Sequence, residues 1–125
     1  MNASLEKIAI FAGMLRLSPL AETGAGDSWY AVNRAEDRES MTRALAYAKG
    51  YADAARLACS YMGPSWQIAN LLGVAAGTFL CMIDANDPPS KIDQVIATYV
   101  SELTELCERK RATCEPRIGD PSFRY

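Results

Sequence analysis

The chain contains no histidine. That single absence excludes the Ser-His and Cys-His pairs on which most nucleophilic catalysis depends, and it leaves cysteine and carboxylate as the strong metal ligands. Its four cysteines, Cys59, Cys81, Cys107 and Cys114, form no C-x-x-C hook, so no zinc-site spacing is present. A surplus of positive charge is also lacking. The net charge is −2, whereas a protein that grips phosphate backbones carries excess Lys and Arg. The sole basic cluster, Arg109-Lys110-Arg111, falls near the end of an expected helix, where cations complement the helix dipole. Fixed-period repeats and low-complexity stretches are missing as well.

What is present is ordinary globular composition: 125 residues, 50% hydrophobic and 22% charged. One domain, residues 1–125, accommodates this length, and it buries about two-thirds of its unfolded surface without needing a metal or disulfide staple. The four cysteines permit two disulfides in three connectivities, or four reduced thiols. Cys107 and Cys114 would be too far apart to pair if one helix ran through both.

The hydrophobic pattern is helical throughout. Leu5, Ile8, Ala12 and Leu15 share one face of a first segment over residues 3–16, capped by Asn2 or Ser4. The alternative for residues 1–21 is a secretory signal, opposed by Glu6 and Arg16. The first reading makes the protein cytoplasmic and the second periplasmic. Ser18-Pro19 ends the first helix, and residues 22–28 read as loop. Trp29 and Tyr30 then anchor that loop to the core or face a partner.

A second helix is expected from Asp37 to Met62 on the spacing of Met41, Leu45, Ala48, Ala52, Ala55 and Cys59, with Gly63 as its left-handed terminator. Its many alanines make it slim, and Gly50 allows the close approach of a neighbour. A third helix, from a Ser65 cap to Ile83, lacks charge over residues 66–83 and fits the buried centre of a bundle better than a membrane span. Gly73 and Gly77 on it suit tight packing against the alanines of the second helix. Asp84 to Pro89 form a turn. A fourth helix follows from a Ser90/Asp93 capping box to about Ala112, on the stripe Ile92, Val95, Ile96, Tyr99, Leu103, Leu106 and Cys107. Residues 115–125 carry Pro116, Gly119 and Pro121 and read as an irregular tail. The expected fold is therefore all-α: a compact bundle of about four helices around an apolar central one.

No stretch carries a specific chemical signature. Asp84, Asn86 and Asp87 open like a calcium loop, but Pro88 and Pro89 stand where a ligand and a glycine belong, and Val95 replaces the closing glutamate. Gly24 and Gly26 lack the strand and third glycine of a dinucleotide site. Glu102, Glu105 and Glu108 alternate with the apolar stripe and form a solvated face. The expectation is a protein that is not an enzyme, with no cofactor, no bound metal, no nucleic-acid partner and no membrane span.

One stretch, Ala46-Tyr47-Ala48-Lys49-Gly50-Tyr51-Ala52-Asp53-Ala54, resembles the aromatic-x-x-Gly-aromatic-x-Asp-Ala helix of the small periplasmic immunity proteins that neutralise type VI secretion amidase effectors. Cys81, a Pro-containing turn and Gln94-Val95 through Tyr99-Val100 follow in the order seen in that family. The similarity covers Ala46 to Val100. It departs from the family in the segment Ser60 to Leu80, which is long and very apolar, and in the ending Pro-Ser-Phe-Arg-Tyr. The resemblance implies an all-α fold and an inhibitor that docks on a toxin or effector enzyme. The other function the sequence allows is a small phage- or mobile-element-encoded cytoplasmic regulator that binds a larger complex. Either acts on another protein, and a homodimer is compatible with both.

Overall fold

The computed structural model describes residues 2–16 and 26–119, and among these every regular element is helical. The elements run α1 (Ala3–Arg16), a 3₁₀ turn (Asp27–Trp29), α2 (Tyr30–Arg34), α3 (Arg38–Leu57), α4 (Pro64–Asp84) and α5 (Pro89–Gly119). There are thus five helices among the described residues rather than four. The additional one, α2, is too short for its periodicity to stand out. The Ser18-Pro19 break, residues 22–25 of the expected loop and residues 120–125 of the expected tail lie outside the described residues.

Helix ends follow from local chemistry. Asn2 caps α1, its Oδ1 accepting from the Leu5 N–H at 2.9 Å. Asp37 caps α3 in a reciprocal box: its carboxylate accepts from the Ser40 N–H at 2.7 Å, and the Ser40 hydroxyl oxygen accepts from the Asp37 N–H at 3.2 Å. α3 stops at Leu57, short of the expected Met62, and the left-handed residue is Met62 (φ 63°) instead of Gly63. The cause is Pro64. A residue before proline is driven to extended backbone. Gly63 accordingly takes φ −72°, ψ 167° and becomes the N-cap of α4, with Pro64 in the first turn where its missing N–H is harmless. Ser65 therefore lies inside the helix rather than at its cap.

Ser90 likewise falls in the first turn of α5, because Pro89 opens that helix. α5 also runs on through Pro116 to Gly119, where an irregular tail was expected. A proline interrupts a helix by withholding one N–H and crowding the preceding turn, a cost that does not forbid continuation.

The core lies around α4, which packs against α3, α5 and α1, with the α3–α4 contact the most extensive in the fold. Ile68, Leu72, Ala75, Ala76 and Phe79 of α4 are buried, and so are Met41, Ala44, Leu45, Ala48 and Ala52 of α3. Four rings from separate elements meet edge to face at the centre. Phe11 of α1 lies 5.6 Å from both Trp29 and Phe79, Trp29 lies 6.2 Å from Phe79, and Tyr99 of α5 lies 6.0 Å from Phe79. The Tyr99 hydroxyl reaches Thr78 Oγ1 at 2.8 Å, which places the polar end of a mostly apolar ring. Polar ties close the periphery: Lys7 pairs with Asp93 at 2.9 Å, and the Ser4 hydroxyl donates to the Asp87 carbonyl at 2.9 Å. By length and composition α4 could cross a membrane, and half of its most apolar window is buried inside the protein.

Candidate interaction face on α3

α3 has two faces of opposite character. Residues 41, 44, 45, 48 and 52 point inward at three- and four-residue steps, so the positions between them must point out. Those positions are not uniformly polar. Tyr47 is 62% exposed, Leu57 85% and Tyr51 39%, with the two tyrosine rings 6.4 Å apart. Among them stand small exposed residues: Ala46, Gly50, Ala54 and Ala58. A methyl group added at Gly50 would meet nothing within 4 Å. Gly50 thus approaches no neighbour within the fold, contrary to its expected role, and instead lies open on the surface. Just beyond the helix, Tyr61 and Met62 are 79% and 53% exposed.

Charges edge this face and are held in place. Asp53 receives Lys49 Nζ at 3.3 Å and Arg56 Nη2 at 3.7 Å. Arg56 also donates to Asn70 Oδ1 at 2.7 Å and lies over the Trp66 ring at 5.9 Å. At the other end Arg43 pairs with Glu39 at 3.8 Å. An apolar centre with a polar rim is the usual anatomy of a protein–protein contact, and tyrosine and arginine are the side chains enriched there.

The residues singled out from sequence are dispersed. Trp29 is fully buried and cannot meet a partner; its ring fills the core between Phe11 and Phe79. Tyr30, one position on in the same helical turn, is 45% exposed, with the Arg34 guanidinium 5.4 Å from its ring centre. Gly73 does pack on α3: an added Cβ would stand 3.4 Å from both Ala52 Cβ and Asp53 Oδ1. Gly77 faces only the Lys49 stem, at 3.6 Å. Sequence spacing leaves the outer side of this helix to solvent as a charged face, and the apolar character that Tyr47 and Tyr51 give it goes unassigned, although both are visibly out of phase with the stripe Met41-Leu45-Ala48-Ala52.

Clefts gather at one end of the bundle around Arg38. One of about 200 Å³ is lined by Asn2, Ser4, Arg38, Asn86, Asp87 and Ile92, among others. Its polar groups are spent on each other, Arg38 donating to Asn86 Oδ1 at 3.2 Å and Ser4 to the Asp87 carbonyl. Among the described residues no three His, Cys, Asp or Glu side chains converge as a metal site would require. Cys59, Cys81 and Cys107 are free thiols, and α5 carries both Cys107 and Cys114 on one helix. Burial pushes the Cys107 thiol pKa up, against the opposing pull of Lys110 and Arg111. No protein-family model matches the chain, and neither does a curated protein or a solved structure.

Proposed function

We propose that this protein is a non-catalytic docking module of the inhibitor or immunity type, which neutralises an effector or toxin by covering it. The observation that carries the reading is the exposed apolar face of α3, built from Tyr47, Tyr51 and Leu57 around Gly50 and Ala54. A helix buried on one side ordinarily turns charged residues to water on the other. Here that side spends two tyrosines and a leucine, side chains that gain most when a partner removes them from water. The same face contains Tyr47, Gly50 and Tyr51 of the segment that resembles the immunity-protein helix, while the alanines of that segment at 48 and 52 face the core. Inhibition by occlusion requires no reactive side chain, which suits a chain without histidine.

The test is affinity capture from the source cell, with the full chain as bait beside its Tyr47→Glu and Leu57→Glu variants. A stoichiometric hydrolase retained by the parent and lost by both variants supports the reading. Equal retention by all three baits, or by none, overturns it.

A further inference from the structure

We propose that the turn between α3 and α4, together with the basic cluster Arg109-Lys110-Arg111 of α5, docks on the surface of an anionic lipid bilayer. This surface is separate from the Tyr47 and Tyr51 side of α3 and does not depend on the reading of that face.

The first observation is a turn that holds apolar side chains out in water. Tyr61 and Met62 are its exposed members, and it is braced from beneath. The Tyr61 ring meets Trp66 edge to face at 5.1 Å, and the Arg56 guanidinium lies 5.9 Å from the Trp66 ring centre. Gln67 Nε2 donates to the Met62 carbonyl at 2.8 Å, and the Gly63 N–H donates to the Ser60 carbonyl at 3.0 Å. Met62 is fixed in the left-handed region, which is uncommon for a long side chain. From Leu57 to Ile83 the chain has no acidic or basic residue. Tyrosine and tryptophan, apolar bodies with one polar atom, are the side chains that settle at the level of lipid headgroups.

The second is the place of the basic cluster. α5 does not end there: Arg111 lies eight residues before Gly119, about two turns. The helix dipole acts within the last turn, so it leaves the cluster unexplained. Register supplies a neighbour instead. The short connection at residues 85–88 makes α4 and α5 antiparallel, with Tyr99 meeting Thr78 and Phe79. From that contact, twelve residues lead back along α4 to Trp66 and forward along α5 to Arg111, a rise of about 18 Å on each. Leu103 and Leu106 hold α5 against the core on the way. The cluster therefore stands level with Trp66. Lys110, four residues after Leu106, continues the inward stripe, with Arg109 and Arg111 to its two sides, whereas Glu105 and Glu108 turn outward. Anionic headgroups complement these cations, and the apolar turn beside them can enter the layer. α5 continues past this level, so a flat surface that touches both α5 and the turn meets the bundle obliquely. A convex tip suits a deformable layer, whereas a protein partner must supply a fitted pocket for each side chain.

Co-sedimentation of the full chain with vesicles tests this. Phosphatidylcholine vesicles containing one-third phosphatidylserine should carry the protein down at low salt, and pure phosphatidylcholine should carry several-fold less. Tyr61→Ser combined with Met62→Asn should weaken binding about tenfold. Asparagine tolerates the backbone at position 62. Lys110→Gln and Arg111→Gln should weaken it about fivefold each. Tyr47→Glu should bind as the parent does, and all these variants should keep the parent's far-ultraviolet circular dichroism spectrum. Tryptophan emission should shift to the blue on anionic vesicles, and Trp66→Phe should abolish the shift, because Trp29 is already buried. A parent that stays in solution overturns the proposal. So does equal binding to the two kinds of vesicle, or binding that survives the changes at positions 61, 62, 110 and 111. A protein target captured through Tyr61 and Met62 without any vesicle binding also overturns it and makes the turn a protein contact.

Discussion

Gly73 of α4 lies so close to Ala52 of α3 that a methyl group placed on it would stand 3.4 Å from the Ala52 side chain. This contact sets the separation of the two helices that share the largest interface in the fold. Gly73→Ala just fits, and the helix gains what glycine costs it, so stability should hold or rise by up to about 1 kcal/mol. Gly73→Leu must push α3 away and should cost about 1–3 kcal/mol. Gly77→Leu should be milder, because only the movable stem of Lys49 stands in its way. Urea midpoints in the order Gly73→Ala, Gly77→Leu, Gly73→Leu, from highest to lowest, check the assignment; a Gly77→Leu midpoint below that of Gly73→Leu contradicts it.

Trp29 belongs to the stability of the protein and not to its surface. Trp29→Ala empties a site walled by Phe11 and Phe79 and should cost about 3–5 kcal/mol. Its indole N–H finds no hydrogen-bond partner among the described residues, so Trp29→Phe removes an unsatisfied donor along with the volume and should cost clearly less. Tyr30→Ala, at a half-exposed ring beside Arg34, should cost clearly less than Trp29→Ala. Thermal melts of the three variants decide the matter, and equal losses at positions 29 and 30 would show that burial is misassigned.

Asp37 ties the start of α3 to pH. Hydrogen bonds from the Ser40 backbone N–H, then from the Ser40 side chain, hold its carboxyl below the usual carboxylate range. A lowered folded pKa means stability that is present above the unfolded pKa and lost as pH falls through the folded one. The melting temperature should therefore drop more steeply for the parent than for Asp37→Asn as pH falls below about 4, since asparagine caps without titrating. Parallel pH profiles for the two proteins would contradict the cap.

The thiols should separate by rate. Cys81 is exposed, whereas Cys107 is half-buried with its thiol pKa raised, which lowers the thiolate fraction that alkylates. Brief iodoacetamide treatment at pH 8 followed by peptide mapping should label Cys81 well before Cys107. Faster labelling of Cys107 would mean that its thiol is not packed against the core as the structure places it.

Much of the architecture is legible in residue spacing. Met41-Leu45-Ala48-Ala52 and Ile92-Tyr99-Leu103-Leu106 mark the inward faces of α3 and α5, because a side chain repeats its direction every three or four residues whatever surrounds the helix. Gly73 could be matched to the alanines of α3 for the same reason. The boundaries at Gly63 and Pro64 were misjudged because two rules compete there, and the restriction that proline places on its predecessor outweighs the preference of glycine for a left-handed turn. The Trp29-Tyr30 pair shows what spacing cannot supply. Adjacent aromatics of similar character are parted by a single 3₁₀ turn, one into the ring cluster of Phe11, Phe79 and Tyr99 and the other to water. The α3 face is the same kind of fact. Periodicity shows that Tyr47 and Tyr51 lie off the core stripe, but only the packing of α4 against one side of α3 alone leaves the other side uncovered. Local sequence set the direction of each side chain, and the arrangement of distant segments decided which directions meet protein and which meet solvent.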